Sequence, residues 1–231
     1  MPSTPSIALL VHGAGSTPDA VRRLLGPAAA GGDIVALDAR GTLDDVVAAV
    51  TAAVHRAERS GRSIEVVGGI SLGAHAVARW AAARTRPSPD LVLAMPAWTG
   101  TPDAVASLTA ASADEIEHEG TAGILERLLA ATPDDWVVDE LVRAWAGRDP
   151  VELARSLRAA AQSPAPDVDE LALVRARTVV VALADDPLHP VPVVEQWAAA
   201  IPGAHLVVVP RDAPGTDRGA LGAAARGALD S

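Results

Sequence analysis

EVVGGISLGAHAVARW, residues 65–80, is the stretch that decides how this chain folds. A short β-branched run meets two glycines, and an alanine-rich segment of helical period follows. At the junction, Gly69-Ile70-Ser71-Leu72-Gly73 matches G-x-S-x-G in the strand-to-helix setting that gives the pattern mechanical meaning. The backbone must turn sharply there, and a Cβ at either glycine would collide with its neighbours. Such a turn lifts the Ser71 hydroxyl above a sheet edge. It also leaves the Leu72 N–H free at a helix N-terminus, where hydrogen bonding and the helix dipole favour a developing oxyanion. An ordinary Gly-rich turn is the competing reading, and the flanking strand and helix count against it.

Working outward, the same alternation recurs. Apolar runs at Ile7–Val11, Asp33–Leu37, 64–67, 91–94, Thr178–Leu183 and His205–Val209 are bounded by turn residues and read as strands buried on both faces. Between them, Leu43, Val46, Val47, Val50 and Val54 fall on one stripe of a helix, with Thr42 as N-cap and Asp45 three residues on. Residues 72–84, 193–200 and 218–229 also read as helices. Strict strand–helix alternation predicts a doubly wound α/β sheet of about six mostly parallel strands. From 99 to 169 no strand is evident. Thr132-Pro133-Asp134-Asp135 and Asp149-Pro150-Val151-Glu152 instead look like helix starts, and the charged run 114–119 looks like a solvated helix face. The expected organisation is a core of residues 1–98 and 170–231 with a helical cap, 99–169, inserted in it. Residues 163–169 (SPAPDVD) read as the hinge back to the core.

Composition narrows the chemistry. With 231 residues and a formal charge of −10, the chain has no basic cluster to replace counterions on phosphate, which disfavours nucleic acid as a partner. All 19 cations are Arg, so Schiff-base catalysis by Lys is impossible; Cys and Tyr are absent as well. No apolar run approaches the ~20 residues of a membrane span, and MPSTPS lacks the basic start of a signal peptide. A cytoplasmic protein acting on a small molecule, with no metal or cofactor, is the expectation.

A second small-residue loop, His12-Gly13-Ala14-Gly15, follows the first strand and can turn the Ala14 N–H toward the same oxyanion position. It lacks G-x-G-x-x-G and G-K-[ST], which leaves little for a nucleotide-binding reading. With this loop, the G-x-S-x-G turn, the helical insertion and the later loop Ala184-Asp185-Asp186-Pro187-Leu188-His189-Pro190, the chain resembles the α/β-hydrolase family over almost its whole length. The resemblance implies Ser71 as nucleophile, Ala14 and Leu72 as oxyanion donors, and Asp186, four residues before a Pro, as the acid. It also implies a His after the last strand. Residues 209–218 (VPRDAPGTDR) contain none.

The base must then come from elsewhere, because Ser is a poor nucleophile until its proton is taken. His55 and His118 read as surface residues and His205 as part of a strand. His12 belongs to the oxyanion loop and is placed at the substrate pocket. His75, one helical turn after Ser71, would have to reach backward. His189 shares a Pro-stiffened loop with Asp186 and is the candidate base.

Trp98, Trp136 and Trp145 are expected in the pocket, where indoles offer apolar surface and one N–H each. Arg127, Arg143 and Arg148 read as solvated. Within the resembled family, Ser in place of Asp argues against dehalogenases and epoxide hydrolases. What remains is hydrolysis of an ester, thioester or lactone, or acyl transfer. If no His reaches Ser71, the alternative is a repurposed fold that binds a ligand or catalyses a non-hydrolytic step; an oxyanion hole without a complete triad typically retains ~10³–10⁴-fold acceleration over water.

Overall fold

Six strands lie side by side in one parallel sheet: β1 (Ile7–Val11), β2 (Asp33–Leu37), β3 (Ile64–Ile70), β4 (Asp90–Ala94), β5 (Thr178–Leu183) and β6 (His205–Val209), in the order β2-β1-β3-β4-β5-β6. The structure, a computed structural model, describes residues 6–231. Residues 1–5, read above for a targeting signal, lie outside the described residues. Side chains alternate across the sheet, as the pleat requires. Ile7, Leu9 and Val11 of β1 join one core with Leu91 and Leu93 of β4. Ala8 and Leu10 join the opposite core with Val92 and Ala94. Helices α2 (Leu43–Arg59), α3 (Leu72–Ala82) and α8 (Val191–Ala200) cover the first face. The second is covered by α1 (Pro18–Leu25) and, after the single turn α9 (Ala213–Thr216), by α10 (Ala220–Leu229).

The prediction that all six strands are buried on both faces fails at the edges. β2 has no fully buried residue, and Leu206 and Val208 of β6 are exposed, because an edge strand has a neighbour on only one side. The predicted start of α2 is observed in full: Thr42 and Asp45 form a reciprocal capping box, of a kind worth about 1 kcal/mol. Helix α1, capped by Thr17 with Pro18 in its first turn, carries a Thr–Pro start that the sequence reading did not single out.

Four helices stand between β4 and β5: α4 (Ala104–Ala131), α5 (Trp136–Trp145), α6 (Pro150–Ala161) and α7 (Val168–Leu171). At Gly120, with φ 77° and ψ 163°, α4 folds into two arms. The N-cap of α5 is Asp135, not Thr132, since the Thr132 N–H already closes the end of α4 on the Leu128 carbonyl. The α6 start at Asp149 is as predicted. Ile116, Trp145, Leu153 and Leu157 give the insertion a small apolar centre of its own. Its two crossings to the sheet are stitched together: Gly100 donates to the Pro166 carbonyl (3.1 Å) and Ala165 donates to the Gly100 carbonyl (2.8 Å). Ser163, within the stretch read as a hinge, accepts the Leu43 N–H at 3.0 Å and is buried. Among the described residues no helix is long and apolar enough to cross a membrane.

The sheet order reverses between β1 and β3, so the loops after these two strands diverge at the carboxyl edge. In open parallel sheets such a crevice is where ligands bind.

Candidate active site

Ser71 occupies that crevice with φ 54° and ψ −118°, a conformation L-residues rarely adopt. Its neighbours make the turn possible. A Cβ on Gly69 would lie 2.3 Å from the Gly73 carbonyl carbon, and one on Gly73 would lie 2.4 Å from the Val11 carbonyl oxygen. Both distances are far inside contact, so only glycine lets α3 start against β1 and β3. The Ser71 N–H is tied to the Ala94 carbonyl at 3.0 Å. As the first residue of α3, Leu72 has no carbonyl one turn back for its N–H.

The loop after β1 packs directly on this turn: a Cβ on Gly13 would lie 3.1 Å from the Ser71 Cβ. Gly13–Ser16 closes as a β-turn, with Ser16 N–H on the Gly13 carbonyl (3.1 Å) and Gly15 at φ 70°. Ala14 and Leu72 both border the cavity beside Ser71. His12, expected at the pocket, is not on the cavity wall. Its ring turns into the protein, where Nδ1 meets the Gly13 carbonyl at 2.7 Å and Nε2 meets Asp38 at 3.3 Å. Burial pushes the His12 imidazole below its ordinary pKa, against the opposing pull of Gly13 and Asp38. The residue braces the loop.

After β5 the chain turns at Asp185 (φ 56°) and presents Asp186 and His189 to the same cavity as Ser71. The His189 Nδ1–H donates to the Asp186 carboxylate at 3.1 Å, and among the described residues Nε2 has no hydrogen-bond partner. Asp186 also accepts the Leu188 N–H at 2.9 Å. Burial pushes the Asp186 carboxyl up. The bond and charge of His189, the Leu188 N–H and Arg211 outweigh that effect and hold it below the usual carboxylate range. Acid and base three residues apart can therefore pair on one loop.

The remaining histidines stand elsewhere. His55, His118 and His205 are exposed. His75 is buried with its ring stacked on Trp197 (centroids 5.3 Å apart) and edge-on to Trp98 (5.1 Å). Its Nε2 accepts the Ala97 N–H at 3.0 Å, so the proton sits on Nδ1, which has no partner among the described residues. Burial above all, then the charges of His189 and Arg79, lower its pKa to about 3. It stays neutral and off the cavity wall.

The cavity measures about 450 Å³, within the ~300–1,000 Å³ range of small-molecule sites. Trp98, Trp136 and Trp145 all line it. So do residues the sequence reading missed: Met95, in a positive-φ turn after β4, Ile116 and Leu128 from the two arms of α4, and Leu188. Only Met95 carried a signal, its place at a strand's carboxyl end; the α4 residues meet because of the bend at Gly120. Arg127 reaches the wall but is paired with Glu115 and Glu119, and Arg211 is paired with Asp135 at 2.8 Å. Arg143 pairs with Asp139 and Glu140, and Arg148 donates to the Gly15 carbonyl at 3.4 Å.

Residues 8–215 match the profile of the alpha/beta hydrolase family. The chain belongs to that family. Among solved structures it is similar to a hydrolase from Pseudomonas aeruginosa (26% identity, TM-score 0.66, covering 90% of this chain and 83% of that one). A thermophilic esterase from Thermogutta terrifontis aligns at 20% identity and TM-score 0.68, over 98% of this chain and 87% of its own. An enol-lactonase from Burkholderia xenovorans aligns at 16% identity and TM-score 0.68, over 90% and 83%. No curated protein matches the chain in sequence.

Proposed function

We propose that this protein is a serine hydrolase that cleaves an ester, thioester or lactone of a small, uncharged, apolar substrate through an acyl-enzyme. The observation that carries the reading is the meeting of a backbone-strained Ser71 and a hydrogen-bonded Asp186–His189 pair in one apolar cavity. Ser71 Oγ attacks the acyl carbonyl and its proton passes to His189 Nε2. The Ala14 and Leu72 N–H groups bind the oxyanion. Asp186 holds the Nδ1 proton and stabilises the imidazolium. His189 returns the proton to the leaving group, then activates the water that releases the acid. The helices of residues 99–169 act as a cap that keeps bulk water from this sequence of steps.

The similarity to an esterase, an enol-lactonase and a hydrolase supports the reaction class. The cavity supports an uncharged substrate, since both arginines on its wall are already paired with carboxylates. One observation favours the repurposed-fold reading: the hydrogen bonds of His12, His75 and His189 go to Gly13, Asp38, Ala97 and Asp186, and none to the Ser71 hydroxyl. Catalytic hydrogen bonds often tighten only once substrate is bound, and in the proposed mechanism the His189–Ser71 bond forms at that stage.

A fluorophosphonate probe decides between them. Stoichiometric labelling, located at Ser71 by mass spectrometry and lost in Ser71→Ala together with hydrolysis of p-nitrophenyl acetate, is the expected result. A Ser71→Ala variant that hydrolyses the ester at the parent rate removes the reading.

A further inference from the structure

We propose that Trp145, beyond lining the cavity, is a positioning residue that ties the inserted helices to the oxyanion loop. The inference rests on the hydrolase reading above. The Trp145 indole N–H donates to the Gly15 carbonyl at 2.9 Å, across 130 residues of sequence, and the bond is buried. Arg148, just beyond the end of α5, reaches the same carbonyl at 3.4 Å. Gly15 has positive φ and is walled in: a Cβ there would lie 3.1 Å from a Leu157 methyl and 3.5 Å from the Trp145 Nε1. Ala14, whose N–H is the proposed oxyanion donor, packs against both the sheet core and the apolar centre of the insertion.

The Gly13–Ser16 turn is thus held on two sides. His12 and Gly13 fix it to the sheet, while Trp145, Arg148 and Leu157 fix it to the insertion. The Gly15 carbonyl shares its peptide plane with the Ser16 N–H, which donates to the Gly13 carbonyl at 3.1 Å; that carbonyl in turn shares its plane with the Ala14 N–H, so fixing Gly15 orients the Ala14 donor. An oxyanion donor works only if it already points where the charge will develop, and misplacement of about 1 Å can cost about a hundredfold. Displacing α5 would therefore loosen the oxyanion hole as well as open the pocket.

The test removes the indole N–H and keeps the ring. β-(3-Benzothienyl)alanine incorporated at 145 does so with shape and volume nearly kept; Trp145→Phe removes the N–H together with part of the ring and serves as the second variant. For p-nitrophenyl acetate, too small to need the full cavity, kcat is expected to fall about tenfold or more with KM within about twofold. The rate of Ser71 labelling should fall in step. A residue that only walls the pocket would instead raise KM, and more so for longer acyl chains. Hydrogen exchange at the 13–16 amides is expected to quicken in either variant, a readout independent of activity. Unchanged kcat and unchanged exchange overturn the proposal. A parent chain that never labels at Ser71, while exchange still quickens on loss of the N–H, overturns the hydrolase reading and leaves the tie between insertion and loop standing.

Discussion

Two loops leave neighbouring strands at the carboxyl edge of the sheet, and they do different work. The loop after β5 holds an acid and an imidazole hydrogen-bonded to one another, both bordering the cavity. The loop after β6, where family resemblance calls for a histidine, carries instead a set of contacts to α5. The Trp136 indole donates to the Arg211 carbonyl at 2.8 Å, Arg211 pairs with Asp135, and Arg218 reaches the Trp136 carbonyl and Asp139. On the proposed reading His189 serves Ser71 from the β5 loop, which frees the β6 loop to hold a helix. What the chemistry requires is a base at the sheet edge; which connection supplies it is secondary.

Replacing His189 tests this division most severely. His189→Ala should lower kcat/KM for p-nitrophenyl acetate by about 10²–10⁴, the usual contribution of a general base. A loss below about tenfold would mean that the β5 loop does not hold the base. Asp186→Asn should cost less than His189→Ala, since the orienting carboxylate of a triad contributes less than the base itself. Asp186 sits below the ordinary carboxylate pKa, so it is already ionised at pH 5. Its stabilising contribution is complete above the unfolded value near 3.9 and is lost only as pH falls through its own lower one. Asp186 should therefore take up no proton between pH 7 and 5, which its carboxylate infrared bands can follow.

His75 sharpens the contrast from within the core. A buried histidine lowered to about pKa 3 stays neutral in the fold while the unfolded chain takes up a proton below about pH 6.5. Between those values the unfolded state binds more protons, so stability rises with pH, with a slope of up to about 1.4 kcal/mol per pH unit. Urea titrations at pH 7 and 4.5 should show that loss. His75→Phe should reduce the pH slope while costing about 1–3 kcal/mol at pH 7, because the Ala97 N–H loses its acceptor. If instead the variant keeps its stability and loses activity as His189→Ala does, the two histidines have been assigned the wrong way round.

The sequence carried the sheet almost entirely. Short β-branched runs such as Thr178–Leu183 are buried on both faces, and that burial leaves its mark in composition. Ser71 was equally legible, because the close backbone approaches at Gly69, against its own turn, and at Gly73, against β1, each demand a glycine, and glycine is visible in the sequence whichever backbone does the crowding. Histidine roles were harder to read. His12 turns away from the pocket because of Asp38, 26 residues on, and His75 is fixed by Trp98 and Trp197, which other elements bring to it. The start of α5 was misplaced for a similar reason: Thr132 is occupied by the helix before it. Such outcomes depend on which neighbour takes a hydrogen bond first, and neither periodicity nor spacing records that.

The smallest effect concerns the β6 loop itself. Arg218 bonds the Trp136 carbonyl at 3.3 Å and Asp139 at 3.2 Å, and its guanidinium lies 5.8 Å from the Trp136 ring centre. Its partner Asp139 is half exposed, so solvent weakens that pair, and the buried Glu140, 3.5 Å from the guanidinium, keeps Arg23 at 2.6 Å; Arg218→Ala should therefore cost about 1 kcal/mol. For a chain of this length that is a drop in Tm of about 2–4 °C at most. The informative readout is selectivity. Loosening the amino end of α5 should raise KM for a long-chain p-nitrophenyl ester severalfold and leave kcat for the acetate close to wild type, because the Trp145–Gly15 bond at the helix's other end stays in place and the Asp186–His189 pair lies on the other loop. A matching fall in kcat would mean that the two loops are mechanically one unit, and the separation of catalysis from helix-holding would have to be abandoned.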